Sequence, residues 1–354
     1  MNDRSFLFAA LCALTACGGS SETTPDGQGG DAAVACTPSE TTATVMIPSL
    51  PVSGGTTYAT WNLDSVAGPH AAIAHARDQA GALRVARLDT DVAELATLPD
   101  AGGYSFAAAA LPGSACAVVS SSKTGLSYAC PGQPLDTASS VRDISGDPVF
   151  PVQTGSSLVV YTQTFASFTE IERSGVGAWA EHEQFESSIS FPTDALAAGD
   201  QPIACFIDAG DRAVVARGQG HAASSVHAKW CKLALAGDTL HVLTDAGYGT
   251  VAVSSLVDEN GTLVLLPVTQ SQEPARLVML DGAPHALVLT ADSAQLVPVP
   301  SGAPITLPRP TADNAILGWD ASLRAVIEIS SKLDTSGPGP LYPQTIHYDT
   351  RCVP

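Results

Sequence analysis

The chain is built from short apolar runs, four to six residues long, that are separated by turn residues. The clearest runs are Leu158–Tyr161, Thr262–Leu266, Arg276–Leu280, His285–Thr290 and Arg324–Ile329. They are rich in Val, Leu and Ile, which favour strands, and their length fits strands better than helices. The 25 prolines are spread along the chain and leave little room for long helices. These features predict an all-β fold.

Turn signals lie between the runs. Asn260-Gly261 and Asp281-Gly282 are strong hairpin signals, because both central positions of that turn need a positive φ. The tripeptide Ala-Gly-Asp recurs at 198–200, 209–211 and 236–238, where it also suits tight turns. The Ala-rich stretch 71–98 could form a helix, but Gly81 in its middle favours two strands and a turn.

The spacing of the runs suggests a repeat. First strands are predicted to begin near His70, Tyr104, Pro148, Gln201, Ala228, Pro274 and Asn314. Their mean spacing of about 40 residues is close to one four-stranded propeller blade. We therefore predict a seven-bladed β-propeller. Six or eight blades are the next alternatives, followed by a pair of β-sandwiches, since no signature dipeptide recurs.

The amino-terminal segment predicts export and lipid attachment. After Arg4, the apolar run Phe6–Ala16 is shorter than the roughly 20 residues that span a bilayer and has the length of a signal-peptide core. It ends in Leu14-Thr15-Ala16-Cys17, which resembles the lipobox of bacterial lipoproteins. The resemblance implies that a diacylglyceryl group is attached to Cys17, that the chain is cut before it, and that the new amino terminus is acylated.

The residues after Cys17 agree with that resemblance better than with a plain secretory signal or an apolar amino-terminal strand. Residues 18–35 are rich in Gly, Ser, Thr and Asp without periodicity, which is typical of a flexible linker. We predict a signal peptide over 1–16, a lipidated Cys and linker over 17–35, and a propeller-like domain over 36–354. Gly18 replaces the Asp that often retains such proteins in the inner membrane. The resemblance therefore favours the outer membrane of a Gram-negative bacterium, with the bilayer bound through acylated Cys17.

The remaining cysteines predict disulfides. Cys12 leaves with the signal and Cys17 is lipidated, so six cysteines stay in the domain. An even number in an oxidising compartment indicates disulfides, and the absence of a CxxC pair disfavours a metal site. Fifteen connectivities are possible. The pairing of neighbours gives Cys116–Cys130 and Cys205–Cys231 and leaves Cys36–Cys352, which would close a ring.

Charge and aromatic content narrow the possible partners. Asp and Glu number 35 against 16 Lys and Arg, for a net charge of −19. Such a surface repels nucleic acid and anionic headgroups, so cations or a basic protein surface are better candidates. Aromatic residues make up only 6%, which argues against an aromatic-lined groove for sugars or single-stranded nucleic acid.

Motifs for catalysis or metal binding are weak. His182–Glu186 comes closest to HExxH, but it has Glu in the second ligand position and is predicted to be a solvated acidic loop. Residues 218–223 match the dinucleotide fingerprint only superficially, since no helix is predicted there. His221 and His227 follow Asp208 and Asp211 in one predicted loop, but their spacing is not that of a standard metal site.

The sequence therefore predicts no catalytic residue, no metal site and no cofactor. Our leading hypothesis is a membrane-anchored, non-enzymatic binding or scaffold module that recruits protein partners. The alternative is a propeller hydrolase or lyase that acts on an extracellular polymer or lactone, with loop carboxylates around the central axis and calcium as a possible cation. Fold alone does not choose between them, because propellers host both.

Overall fold

A computed structural model describes the carboxyl-terminal unit of the chain, apart from several connections. The described residues are 36–45, 61–77, 81–89, 91–98, 106–111, 114–139, 141, 149–155, 157–163, 167–186, 192–218, 220–256, 260–268, 272–308, 314–333 and 344–354. They form 28 strands and one short 3-10 helix, Val253–Leu256, and they contain no α-helix. No helix within these ranges is long and apolar enough to cross a membrane.

The strands form seven sheets, numbered here as blades in chain order. Blade 1 contains β2 (Asn62–Gly68), β3 (Ala71–Arg77), β4 (Leu83–Leu88) and β5 (Val92–Leu98). Blade 2 contains β6 (Phe106–Ala110), β7 (Ala117–Ser121), β8 (Gly125–Ala129) and β9 (Asp136–Thr137). Blade 3 contains β10 (Phe150–Thr154), β11 (Ser157–Gln163), β12 (Ser167–Gly175) and β13 (Ala178–Glu186).

The other four blades are less uniform. Blade 4 contains β14 (Pro192–Ala198), β15 (Gln201–Ile207), β16 (Arg212–Arg217), β17 (Gly220–His227) and the later β21 (Asn260–Leu263). Blade 5 contains β18 (Cys231–Ala236), β19 (Thr239–Thr244) and β20 (Tyr248–Ala252). Blade 6 contains β22 (Arg276–Leu280), β23 (Ala283–Leu289), β24 (Ser293–Pro298) and β25 (Ile305–Pro308). Blade 7 contains β26 (Asn314–Asp320), β27 (Ala325–Leu333), β28 (Gln344–Cys352) and, from the start of the domain, β1 (Ser39–Val45).

The first strands of the seven blades form a closed ring. Each of β2, β6, β10, β14, β18, β22 and β26 contacts the first strand of the next blade, and β26 contacts β2. The seven-bladed prediction is confirmed. Five of the seven predicted starts lie within a few residues of an observed first strand. Two were wrong: His70 lies in the turn after β2, and Gln201 begins the second strand of blade 4.

The core is divided among the blades. The described apolar residues form seven buried clusters, and each cluster lies between two neighbouring blades. This follows from strand geometry, because successive side chains point to opposite faces of a sheet and both faces are covered. Ile73 of blade 1 and Val119 of blade 2, for example, belong to one such cluster and are almost fully buried. The predicted two strands and turn over 71–98 are in fact three strands, β3 to β5.

A polar contact joins blades 2 and 3. Asp136, on β9, accepts hydrogen bonds from Arg173 Nε at 2.7 Å, Gly177 N at 3.0 Å and Trp179 Nε1 at 3.1 Å. The Arg173 guanidinium also lies 4.1 Å from the ring centroid of Tyr128. Burial acts to raise the pKa of Asp136, but these hydrogen bonds and the Arg173 charge outweigh it and lower that pKa.

Blade 7 closes the ring with chain from both ends of the domain. β1 pairs antiparallel with β28 as the outer strand, and the Cys36–Cys352 disulfide lies beside this pairing. The buried Gln344 side chain accepts from Trp61 N at 2.7 Å and donates to Trp61 O at 2.8 Å. The other disulfides are Cys116–Cys130 and Cys205–Cys231, so the three bonds are two neighbour pairs and the pair that they leave, as considered in the sequence analysis.

The boundary of blades 4 and 5 is irregular. After β20, the chain crosses to blade 4, where β21 pairs parallel with β17. It then returns to blade 5, where Leu266 exchanges backbone hydrogen bonds of 2.7 and 2.8 Å with Tyr248. A Cβ at Gly249 would come within 2.3 Å of the Val264 carbonyl oxygen, so this close approach requires glycine. The prediction of a hairpin at Asn260-Gly261 is therefore wrong, since both residues lie in β21.

Other predicted turns are confirmed. Asp281 and Gly282 both have positive φ, of 50° and 75°, and they join β22 to β23. In the three Ala-Gly-Asp tripeptides a positive φ occurs at Gly199, Asp211 and Gly237. These turns succeed as predictions because their chemistry is local to two or three residues.

The ring has two different faces, because strand direction alternates within each blade. The tight-turn face carries the first-to-second and third-to-fourth strand turns, such as 199–200, 237–238 and 281–282. The loop-bearing face carries the second-to-third strand connections, such as 208–211 and 245–247, and the blade-to-blade connections. Cys36 and Cys352 lie at the tight-turn face, where Val353 N donates to Arg324 O in the turn after β26. Residues 1–35, including Cys17, lie outside the described residues.

Candidate functional site

The loop-bearing ends of the seven first strands form a region that we call the mouth, and ionisable side chains lie there on four of these strands. Asp64 is the third residue of β2 in blade 1, and Asp194 is the third residue of β14 in blade 4. At both positions the pairing with the second strand shifts register, between Leu63 and Ser65 and between Pro192 and Asp194. Such irregularities change the direction in which a side chain points. Asp64 and Asp194 therefore do not follow the alternation of the apolar residues around them.

The blade 1 carboxylate is paired with a histidine. Both carboxylate oxygens of Asp64 lie 2.9 Å from His75 Nδ1, on β3. The Phe106 ring, at the start of β6, packs on the imidazole with 4.9 Å between centroids. Burial raises the pKa of Asp64, against the lowering effect of the hydrogen bond and charge of His75. A carboxylate that fixes Nδ1 leaves Nε2 of His75 as the group for outside chemistry.

The blade 4 carboxylate is held by backbone and faces two cations. Asp194 accepts hydrogen bonds from Leu233 N at 2.8 Å and Ala195 N at 2.9 Å. Burial raises its pKa, and the positive charges of Lys232 and Arg276 act in the opposite direction. Lys232 is the second residue of β18 and Arg276 is the first residue of β22. The cluster therefore joins the first strands of blades 4, 5 and 6.

Lys232 also has a partner on the loop-bearing face. Its Nζ lies 3.0 Å from Glu273 Oε1, in the connection between blades 5 and 6. The Lys232 side chain is 12% exposed, whereas that of Glu273 is 53% exposed. The nearly buried Lys232 ammonium thus interacts with two carboxylates, the fixed one of Asp194 and the solvated one of Glu273.

Parts of the first strands carry only small or apolar side chains. β6 reads Phe-Ala-Ala-Ala-Ala, and β14 continues beyond Asp194 as Ala-Leu-Ala-Ala. Within the described ranges, no group of three or more His, Cys, Asp or Glu is placed to hold a metal ion. The mouth therefore offers two separate charged sites, one at blade 1 and one at blades 4 to 6.

The structure does not bring together the histidines and aspartates that the sequence motifs suggested as site residues. His182 lies on β13 rather than in the predicted loop, and its Nε2 is 2.8 Å from Glu172 Oε2 on an exposed part of blade 3. His227 and Asp211 are 3.9 Å apart and both strongly exposed. Asp208 instead accepts from Arg212 Nε at 2.8 Å.

The superficial dinucleotide fingerprint falls mainly in a strand. His221 and the two alanines after it belong to β17, and Gly218 has a positive φ in the turn before it. A strand cannot provide the helix amino terminus on which pyrophosphate binding depends.

The charged residues of the mouth carry no recognisable motif, and the sequence analysis did not find them. Their one shared signal is position, since Asp64, Asp194, Lys232 and Arg276 each lie among the first three residues of a first strand. That signal is usable only once the first strands are known.

No protein-family profile and no curated protein matches the sequence. Among solved structures, the chain is similar to the WD40 β-propeller domain of Doa1, with 8% identity, a TM-score of 0.47, and coverage of 83% of this chain and 94% of that one. It is also similar to the SapL1 lectin in complex with α-methyl fucoside, with 14% identity, a TM-score of 0.43, and coverage of 72% and 97%. AztD from Citrobacter koseri has 10% identity, a TM-score of 0.40, and coverage of 70% and 72%. These similarities concern the fold.

Proposed function

We propose that this protein is an exported, lipid-anchored binding module that engages a partner through the loop-bearing face of its propeller. One observation carries the proposal. The charged side chains of the mouth lie at the loop-bearing ends of the first strands, whereas the described chain begins, at Cys36, on the opposite, tight-turn face. The mouth therefore lies on the face opposite the one that carries Cys36.

The three disulfides indicate an extracytoplasmic protein, because such bonds persist in oxidising compartments. Acylation of Cys17 and an outer-membrane location are the finer part of the proposal. They are supported by the lipobox resemblance and by the polar linker over 18–35. Several acyl chains on one residue give stable anchoring without a spanning helix.

Binding is favoured over catalysis by how the charges at the mouth are arranged. The Asp64–His75 pair and the Asp194–Lys232–Arg276 cluster belong to different blades, and each is already compensated internally. Fixed, compensated charges suit recognition of a partner, whereas general acid–base catalysis needs groups poised around one reacting atom.

The anchor is tested by Cys17→Ser in a Gram-negative host, followed by membrane fractionation and labelling with a fatty acid. We expect the wild type in the membrane fraction with label, and the variant unlabelled and released from membranes. Cys12→Ser, which alters a cysteine in the same signal segment, should behave as the wild type. Retention of the Cys17 variant in membranes would contradict the anchor.

The binding face is tested by one charge reversal on each face. Asp292→Arg lies in the connection between β23 and β24 on the loop-bearing face, and Asp200→Arg lies in a tight turn. Partners recovered by proximity labelling of the anchored protein should change with Asp292→Arg and persist with Asp200→Arg. The reverse pattern would place the partner on the tight-turn face.

A second candidate function, a hydrolase or lyase, is favoured only by the Asp64–His75 pair, in which Nε2 of the imidazole could serve as a base. It is tested with a panel of polysaccharides and lactones. Loss of an activity in His75→Gln, but not in His182→Gln, would favour the enzyme. His182 is a suitable control because it is also paired with a carboxylate, on the outer part of blade 3.

A further inference from the structure

Cations are scarce in this protein, and two of them lie together at the mouth. The chain has 16 Lys and Arg among 354 residues, yet Lys232 and Arg276 lie at the starts of two consecutive first strands that contact each other. Placing an ammonium group where it is only 12% exposed is costly unless anions compensate it. Solubility of the surface therefore does not explain why Lys232 lies at this nearly buried position.

The two anions near Lys232 differ in how firmly they are held. Asp194 is fixed by hydrogen bonds from Leu233 N and Ala195 N, so its carboxylate is part of the framework. Glu273 reaches Lys232 Nζ at 3.0 Å from a blade-to-blade connection, with more than half of its side chain in solvent. An ion pair with one exposed partner contributes little to stability, so Glu273 can exchange for another carboxylate at small cost.

We propose that Lys232 and Arg276 form a carboxylate-binding subsite at the mouth, and that Glu273 is an internal carboxylate that occupies it until a ligand displaces it. The inference rests on the proposed binding function and names the ligand class of that site. An incoming carboxylate would accept hydrogen bonds from the Lys232 ammonium and the Arg276 guanidinium, which are the donor types that bind carboxylates best. The Asp194 carboxylate already offsets part of the positive charge of Lys232 and Arg276. The subsite is therefore not a strong binding site for anions in general.

The net charge of −19 restricts the ligand further. Densely charged phosphate or sulfate polymers are repelled by the protein as a whole, whereas isolated carboxylates on a polymer or peptide are repelled much less. Two sources provide that chemistry, namely the uronic acids of a polysaccharide and the acidic side chains of a peptide. The probes below separate them.

The test is calorimetry on the full lipidated chain in detergent micelles, at low salt. The probes are largely methyl-esterified galacturonate oligomers with isolated free carboxylates, a peptide with a single glutamate among neutral residues, dextran sulfate and neutral dextran. Binding is expected for at least one carboxylate probe and for neither dextran. Glu273→Gln should tighten that binding about two- to fivefold, because it removes an exposed competitor. Glu181→Gln changes the charge equally on the outer strand of blade 3 and should leave the affinity unchanged.

Lys232→Met and Arg276→Gln should each weaken binding of the carboxylate probe at least tenfold. Arg276 is exposed, so its variant keeps the test valid if Lys232→Met fails to fold. If only one of the two carboxylate probes binds, that probe shows whether the carboxylate comes from a polysaccharide or from a peptide. The inference is overturned if Glu273→Gln binds no better than Glu181→Gln, if both cation variants bind as the wild type, or if dextran sulfate binds best. None of these outcomes affects the anchor and face experiments, so the two proposals fail separately.

Discussion

Blade 7 and the boundary of blades 4 and 5 both borrow a strand, but they secure it in different ways. Blade 7 takes β1 from the start of the domain, pairs it antiparallel, and adds a disulfide with a sequence separation of 316 residues. The blade 4 and 5 boundary takes β21 from nearby chain, pairs it parallel, and relies on the close approach at Gly249. Pairing a strand from the far end of the chain costs a large loop-closure entropy. Pairing a nearby segment costs less, and it depends mainly on space for the backbone.

The largest expected effect comes from opening the disulfide at blade 7. Replacing both Cys36 and Cys352 by Ser should lower the free energy of unfolding by about 5 kcal/mol, since the closed loop is very long. The same change at Cys205 and Cys231, with a separation of 26 residues, should cost about 3 kcal/mol. Denaturant unfolding of the two double variants measures the difference. Equal losses would contradict the entropic account of closure.

A smaller loss is expected when the noncovalent part of the closure is removed. Gln344→Leu leaves the buried N–H and C=O of Trp61 without their side-chain partners, which should cost about 2–3 kcal/mol. Gln153→Leu removes an exposed amide that bonds Ser157 O and should change stability very little. Chemical denaturation of both variants is the measurement. Similar values for the two would mean that Gln344 has no special part in closing the ring.

The borrowed strand at blades 4 and 5 is tested by Gly249→Ala. The added methyl group would clash with the Val264 carbonyl, and such overpacking should cost about 1–3 kcal/mol. Hydrogen exchange of amides 260–266 should accelerate more than exchange in β1. Gly175→Ala is the control, because its nearest neighbour lies at 3.9 Å. Unchanged exchange over 260–266 would show that β21 does not depend on this contact.

The contact between blades 2 and 3 involves no borrowed strand, so it provides the reference. Weakening it should lower stability the least. Asp136→Asn weakens the contact between blades 2 and 3 and should lower stability by about 1–2 kcal/mol at neutral pH. The pKa of Asp136 is lowered in the folded state, so the contribution of the carboxylate is complete above its ordinary pKa and is lost as pH falls through the lowered value.

The stability gap between wild type and Asp136→Asn should therefore narrow at acid pH. Urea unfolding at neutral pH and below about pH 4 measures it. A gap that widens on acidification would show that the aspartate is not ionised in the folded protein.

Features set by local chemistry were predictable from the sequence, and features set by distant contacts were not. Asp281-Gly282 forms the expected turn because two residues determine it, and the recurrence of strand starts was sufficient to predict seven blades. Asn260-Gly261 has the same turn chemistry, but its pairing with β17 outweighs that preference. Tertiary context commonly overrides local preference in this way.

The candidate site was largely outside the reach of sequence reasoning. Asp64 and His75 are separated by a strand and a turn, and Asp194 meets Lys232 only because two first strands become neighbours in the ring. Neither arrangement has a spacing that marks it in a single sequence. Ring geometry had to be known before these charges could be recognised as one surface.

The position of the Cys36–Cys352 bond also governs how the domain carries mechanical load. β1 is an edge strand, and a pull on the chain ahead of it would otherwise unzip its hydrogen bonds to β28 one after another. The disulfide passes that traction directly to the end of β28, which is paired with a strand on each side, so β1 cannot be peeled away alone. A pull on the chain ahead of Cys36 would thus load the interior of blade 7 rather than its outer strand.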